Sequence, residues 1–179
     1  MTNPKPSPET LLTALLPLVA GWCRRLGGHR IDVEAADQDT MMVLLRRADD
    51  LRPGAPLEPW AWGVTVRVVQ QHRRRAWWRR WWPGEVPDRG HLDSPEARMG
   101  QKDLARQVQQ VLDVLDEAHS QVLILCDAEE RTAMAAAAIL EIPSNTVKSR
   151  LRVARAAFRA EAERQGLHIL HLLEEQEDV

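Results

Sequence analysis

The apolar residues of this chain recur every three or four positions along most of its length, which predicts helices rather than strands. The first such stretch follows Ser7-Pro8-Glu9, a combination of cap residue, first-turn proline and first-turn acid that is typical of a helix start. We predict a first helix that ends before Gly27-Gly28. One face of this helix carries its apolar residues, which are Leu11, Leu12, Leu15, Leu18, Val19 and Trp22.

Two more helices are predicted in the N-terminal half. Asp32 can cap a second helix that runs to about Asp50. Residues 52–59 contain three prolines and a glycine, so this segment is predicted to be irregular. A long third helix then starts at Pro59 or Trp60 and is ended by Pro83-Gly84.

The second half of the chain begins with a change of pattern. Residues 84–102 lack apolar periodicity and are predicted to form a flexible linker. Four helices follow at about 103–116, 119–129, 132–140 and 144–165, with a tail helix that extends toward Leu173. The predicted fold is therefore all-α, with two small helical domains at 8–83 and 103–166, the linker at 84–102 and an acidic tail at 167–179.

The last two of these four helices have the layout of a helix-turn-helix. A short helix from Thr132 to about Leu140 leads into Glu141-Ile142-Pro143, and Ser144 is a good N-cap for the next helix. That helix carries five basic residues and no acidic one from Ser144 through Arg159. Its apolar residues recur at helical spacing and are predicted to face inward; they are Val147, Leu151, Ala154 and Phe158. The pattern favours a DNA-reading helix over a merely solvated basic face.

Charge supports this interpretation only when its distribution is considered. The formal net charge of the 179 residues is −2, which by itself argues against a nucleic-acid partner. However, five arginines fall within 73–80 and five basic residues within 148–159, whereas acids gather in the linker and at 174–178. Because binding follows local patches rather than totals, both basic clusters are candidate DNA contacts.

Composition excludes several other classes of protein. Cys23 and Cys126 are isolated in apolar runs, so both are predicted to be buried thiols in a reducing cytoplasm. No apolar run reaches the ~18 residues that a membrane span needs. His168 and His171 lack a third metal ligand nearby. Since no nucleophile–base pair, carboxylate pair or Gly-rich phosphate loop is found either, we expect no catalysis, no cofactor and no metal.

The sequence T-V-K-S-R-L at 146–151, followed by A-R at 154–155, resembles the last conserved region of bacterial sigma-70 family factors of the extracytoplasmic-function (ECF) group. LuxR-type regulators carry a similar motif, so this match alone leaves two classes open. The N-terminal half discriminates between them. There E-A-A-D-Q-D-T at 34–40 resembles the core-polymerase-binding segment of sigma region 2, and P-W-A-W-G-V-T-V-R-V-V-Q-Q-H-R-R-R at 59–75 is similar to the promoter-melting helix.

The resemblance implies a role for each group of residues. The −35 duplex would be read by the recognition helix through Asn145, Thr146, Lys148, Ser149, Arg150 and Arg152. The −10 element would be melted and held by Arg67, Gln70, Gln71, Arg74 and Arg75, with the 52–59 loop framing the pocket for a flipped base. Core polymerase would dock on Glu34, Asp37, Gln38 and Asp39, with Met41 and Met42 as apolar surface there or in the core.

The resemblance also implies the partners of this chain. They are core RNA polymerase (its β′ coiled coil and β flap), promoter DNA and an anti-sigma factor. The sequence departs from the family at Arg67, Gln71, Val153 and the alanine-rich 133–138, which affects promoter specificity more than family membership. One rival class is a LuxR-like regulator with an unrelated helical N-terminal domain, and another is an α-helical enzyme.

The run W-W-R-R-W-W at 77–82 has no assigned role. On a helix its four tryptophans share one side, and Arg79 and Arg80 point away. Packing within the protein, stacking on DNA and contact with a membrane surface are all compatible with this pattern.

Overall fold

The computed structural model describes residues 7–52, 54–81 and 99–167, and within these ranges all of the regular structure is helical. The chain divides into two compact units. The first contains α1 (Pro8–Gly27), α2 (Val33–Arg46) and α3 (Leu57–Trp81), with short 3₁₀ turns at Gly28–Arg30 and Ala48–Asp50. Each of these three helices packs against the other two, so they form a small bundle.

Local capping explains where α1 and α2 begin. The Ser7 hydroxyl accepts a hydrogen bond from the Thr10 N–H at 3.2 Å, and the Asp32 carboxylate accepts one from the Ala35 N–H at 2.9 Å. Each bond satisfies one of the N–H groups that a helix start leaves without a partner. Both caps predicted from the sequence are thus confirmed.

Two tryptophans lie at the centre of the first unit. Trp22 on α1 and Trp62 on α3 meet edge to face, with ring centroids 5.1 Å apart and an interplanar angle of 83°. Both are buried, as is Cys23 next to Trp22. Cys23 is thus a core residue, as predicted, and burial raises the pKa of its thiol to about 11.

The structure corrects three details of the first unit. Leu12 is 37% exposed instead of facing the core, because the inward stripe of α1 runs through Leu11, Leu15 and Val19. Helix α2 ends at Arg46, and the predicted extension to Asp50 is a separate 3₁₀ turn. Helix α3 starts at Leu57, before the predicted Pro59, since a proline in the first turn removes an N–H that has no helical partner anyway.

The second unit contains α4 (Met99–Leu112), α5 (Glu117–Leu123), most of α6 (Ala133–Leu140) and α7 (Ser144–Arg164). Both α4 and α5 pack against α7. Helix α4 begins within the predicted linker and ends four residues before the predicted 116. The predicted helix 119–129 is instead α5 followed by a π-helical turn at Ile124–Ala128.

Among the described residues of the second unit, the buried side chains are aliphatic apart from Phe158 and Asp113. Val122, Ile124 and Leu125 are buried after the start of α5, and Val147, Ala154 and Phe158 are buried on α7. In the described ranges no helix combines the length and the apolar character that crossing a membrane requires. The predicted tail helix and the histidines at 168 and 171 lie outside the described residues.

Candidate nucleic-acid interface

Backbone hydrogen bonds shape the turn between α6 and α7. The Ile142 N–H donates to the Ala137 carbonyl at 3.2 Å, and Glu141 has φ +54°, the left-handed conformation that ends many helices. Pro143, with φ −59° and ψ 142°, is the N-cap of α7, and its carbonyl accepts from the N–H groups of Thr146 and Val147. The prediction that Ser144 is the N-cap is therefore wrong. Ser144 is the first residue of α7, and no side chain caps this helix.

Most of the residues predicted to read DNA lie on the outer side of α7. Asn145, Lys148, Ser149 and Arg152 are exposed, and Thr146 and Arg150 are half-buried. The Ser149 hydroxyl donates to the Thr146 carbonyl at 3.0 Å, so its proton is already used within the helix. Among the predicted inward residues, Leu151 is only half-buried. The fold thus presents a polar, basic face at the N-terminal half of α7.

Arg155 on α7 forms an ion pair with a residue that lies outside that helix. Its guanidinium donates two hydrogen bonds to Asp127, from Nε to Oδ2 at 3.2 Å and from Nη2 to Oδ1 at 2.8 Å. Asp127 belongs to the π-helical turn, and its side chain is only 16% exposed. The neighbouring Cys126 is half-buried rather than buried, and its pKa is raised by burial and by the Asp127 carboxylate. Arg155 therefore ties α7 to the π-helical turn.

A shallow depression runs along the outer side of α7. Its lining comprises Lys148, Leu151, Arg152, Arg155, Ala156 and Arg159. Cations surround a small apolar floor, an arrangement that suits phosphate groups together with the sugar edges between them.

Helix α3 has one face buried in the bundle and another face exposed to solvent. Ala61, Thr65, Val68, Val69 and His72 are among its buried residues. The predicted melting residues Arg67, Gln71, Arg74 and Arg75 are exposed, and Gln70 is half-buried. Trp77 is 54% exposed, whereas the side chains of the other three tryptophans of the run 77–82 lie outside the described residues.

The acidic turn of α2 is less uniform than its sequence indicates. Glu34, Gln38 and Asp39 are exposed, but Asp37 is half-buried and its Oδ1 has no hydrogen-bond partner within the described chain. Burial raises the pKa of the Asp37 carboxyl, and the Arg24 guanidinium opposes this effect. Of the two methionines that follow, Met41 is in the core and Met42 is on the surface.

The sequence did not indicate that His72, a buried residue of α3, contacts the acidic turn of α2. Its Nε2 lies 2.9 Å from Asp39 Oδ2, although 33 residues separate the two in the chain. An ionised carboxylate can only accept, so the imidazole N–H is the donor. The spacing of His72 from Thr65 and Val68 could have indicated its inward position, but not its partner on α2.

Within the described ranges no group of three or more His, Cys, Asp or Glu side chains could hold a metal ion. The exposed polar side chains on α2, α3 and α7 form one acidic and two basic faces.

Comparison with known proteins gives matches in both units. Residues 11–79 match the family model of sigma-70 region 2, and residues 105–158 match that of sigma-70 region 4. The chain is similar in fold to the sigma factor RpoE of Bartonella quintana, solved in complex with the anti-sigma factor NepR. That likeness has 24% identity and a TM-score of 0.62 over 87% of this chain and 96% of the other. It is also similar to CnrH, solved with the cytosolic domain of CnrY, with 22% identity and a TM-score of 0.62 over 88% of each chain.

Proposed function

Because the chain belongs to the sigma-70 family, with regions 2 and 4 in the short layout of the ECF group, we propose that it binds core RNA polymerase and directs it to promoters through their −10 and −35 elements. The observation that carries this proposal is the presence of both regions in one chain, each with its predicted contact residues mostly on the outer face of a helix. A LuxR-like regulator would have an unrelated N-terminal domain, so the region 2 match removes that alternative.

In the proposed complex, α7 lies in the major groove of the −35 element. Lys148 and Arg152 lie on its exposed side, and Asn145 is exposed in its first turn. Arginine pairs well with the acceptor edge of guanine, and asparagine with adenine, so such residues can read base identity. Among the cations along the depression, the exposed Lys148 would hold an adjacent phosphate and so help to set the register of the helix, whereas Arg155 is paired with Asp127.

The outer face of α3 would hold the opened −10 element. Arg67, Arg74 and Arg75 offer charge for the backbone of a single strand, and Gln71 offers an amide for a base edge. Since the inner face of the same helix packs within the bundle, the backbone that carries these side chains is held in place, which lowers the entropic cost of holding a melted strand.

Helix α2 would dock on the basic coiled coil of the β′ subunit. Glu34 and Asp39 supply carboxylates for charge-assisted hydrogen bonds, Gln38 supplies an amide, and Met42 supplies apolar area in the same patch. We further propose that region 4 contacts the β flap and that an anti-sigma factor regulates the chain in the cytoplasm. Two solved proteins of similar fold are bound to such a partner or to a cytosolic domain, which supports this last proposal.

Reconstituted transcription tests the proposal. Purified core enzyme, with and without this protein, would transcribe a library of templates whose upstream region is randomised. We expect protein-dependent transcripts whose templates share two motifs at a fixed spacing. If the protein bound DNA but gave no transcripts above those of core enzyme, the proposed function would be wrong.

A further inference from the structure

We propose that His72 is a positioning residue for polymerase docking: it holds the Asp39 carboxylate in the orientation that the polymerase recognises. The inference rests on the proposed function of α2 as the docking helix. It adds a residue of the predicted DNA-melting helix, α3, to the machinery of polymerase binding.

The geometry separates the roles of the two residues. The His72 side chain is 10% exposed and the Asp39 side chain is 56% exposed. A partner protein can therefore reach Asp39 directly but has little access to His72. The hydrogen bond of 2.9 Å between His72 Nε2 and Asp39 Oδ2 joins an inner residue of α3 to an outer residue of α2.

This hydrogen bond restricts the motion of an otherwise free surface carboxylate. An exposed aspartate on a helix samples several staggered rotamers, and a partner must fix one of them on binding. In this protein the imidazole already selects one rotamer, and the rest of the bundle holds the imidazole. One carboxylate oxygen is directed toward α3, and the other is left for a donor of the partner.

The neighbouring polar residues of α2 have no equivalent support that the structure describes. Glu34 and Gln38 are exposed, and Asp37 is half-buried with an oxygen that lacks a hydrogen bond. Among the four predicted docking residues of α2, Asp39 is thus the one whose side chain is oriented by another helix before a partner binds. We infer that it acts as the anchor of the docking surface and that the other members adjust to the partner.

A double-mutant cycle tests this inference through the affinity of the full chain for core polymerase. The variants are His72→Leu, which removes the donor, Asp39→Ala, and the two combined. His72→Gln keeps an N–H donor and serves as the conservative variant. Thr65→Val is the matched control, because Thr65 is fully buried on α3 and its hydroxyl bonds within that helix, to the Ala61 carbonyl.

We expect His72→Leu to weaken core binding about fivefold and the double variant to bind no more weakly than Asp39→Ala alone, since coupled residues are not additive. His72→Gln should recover most of the affinity, and Thr65→Val should alter the unfolding midpoint without altering affinity. Independent effects of the two substitutions would overturn the inference, as would tighter binding by His72→Leu, which would mean that the pair withholds Asp39 from polymerase. Failure of the unaltered protein to bind core enzyme would instead contradict the proposed function itself.

Discussion

Arg155 donates two hydrogen bonds to the Asp127 carboxylate, from Nε at 3.2 Å and from Nη2 at 2.8 Å. This pair connects α7, the predicted DNA-reading helix, to the π-helical turn that precedes α6. Both side chains are partly shielded from water, with 33% and 16% of their areas exposed. An arginine that counts toward the basic patch in the sequence therefore has a structural task in the folded protein.

Asp127→Ala is expected to lower the free energy of unfolding of the second unit by about 1–2 kcal/mol, because it removes the two hydrogen bonds that the Asp127 carboxylate accepts from Arg155. Urea denaturation of the full chain would measure the loss. The exchanged pair Asp127→Arg with Arg155→Asp should recover part of it. If the exchanged pair were no more stable than Asp127→Ala, the ion pair would not be the source of the effect.

Lys148→Ala and Arg150→Ala are expected to weaken promoter binding in different ways. If the exposed Lys148 contacts a phosphate, Lys148→Ala should lower the magnitude of the slope of the logarithm of the binding constant against the logarithm of the salt concentration by about one unit. This change should be the same for every DNA sequence. A base contact by Arg150 predicts a loss of about 1–3 kcal/mol and relaxed specificity at one position of the −35 element. Arg164→Ala is the control, since Arg164 is exposed at the far end of α7 and pairs with Glu161. Unchanged −35 footprints for both variants would reject the assignment of α7.

Glu34→Lys combined with Gln38→Lys is expected to abolish binding to core polymerase and to leave the fold intact, because both residues are exposed. Reversal of Asp39 is a less clean test, since the same change would also break the hydrogen bond to His72. Glu163→Lys reverses an exposed charge in the other unit and controls for the effect of reversing one acidic residue. Retention of core enzyme on the immobilised, folded double variant would remove this face of α2 from the docking surface.

Asp37→Asn is expected to stabilise the protein at neutral pH. Burial raises the folded-state pKa of this carboxyl above its ordinary 3.8, so the folded protein binds the proton more tightly than the unfolded chain. Stability is therefore lost as the pH rises through the unfolded pKa toward the folded one. The variant should have the higher urea midpoint at pH 7, and the difference should shrink near pH 3. An equal difference at both pH values would exclude the ionisation of Asp37 as its cause.

Glu141→Gly is expected to stabilise the protein by about 0.5–1 kcal/mol. Glu141 has φ +54°, which strains a residue with a Cβ atom more than it strains glycine, although glycine loses more entropy on folding. Thermal unfolding would measure the gain, and Glu141→Ala, which keeps the Cβ, should give none. A destabilised glycine variant would mean that the Glu141 side chain contributes to the turn.

The sequence by itself determined the features that depend on neighbours within a turn or two of helix. Caps at Ser7 and Asp32 and the helix–turn–helix order of α6 and α7 follow from local spacing and local hydrogen bonding. The family likeness was also present in the linear motifs, and the matches to sigma-70 regions 2 and 4 confirm it. Where the local rules misjudged a detail, the difference was small: Ser144 follows the cap instead of forming it, and Leu12 lies just off the inner stripe.

Only the tertiary structure decided which polar side chains meet. Asp39 and His72 are 33 residues apart, and Asp127 and Arg155 are 28 apart. Whether such residues touch depends on the rotation and separation of two packed helices, which are set by all of the apolar contacts of the bundle together. Periodicity assigns each residue to a face, but it does not specify which residue of another helix lies opposite. For that reason the sequence predicted Asp39 as a docking residue, and the fold was needed to identify His72 as its support.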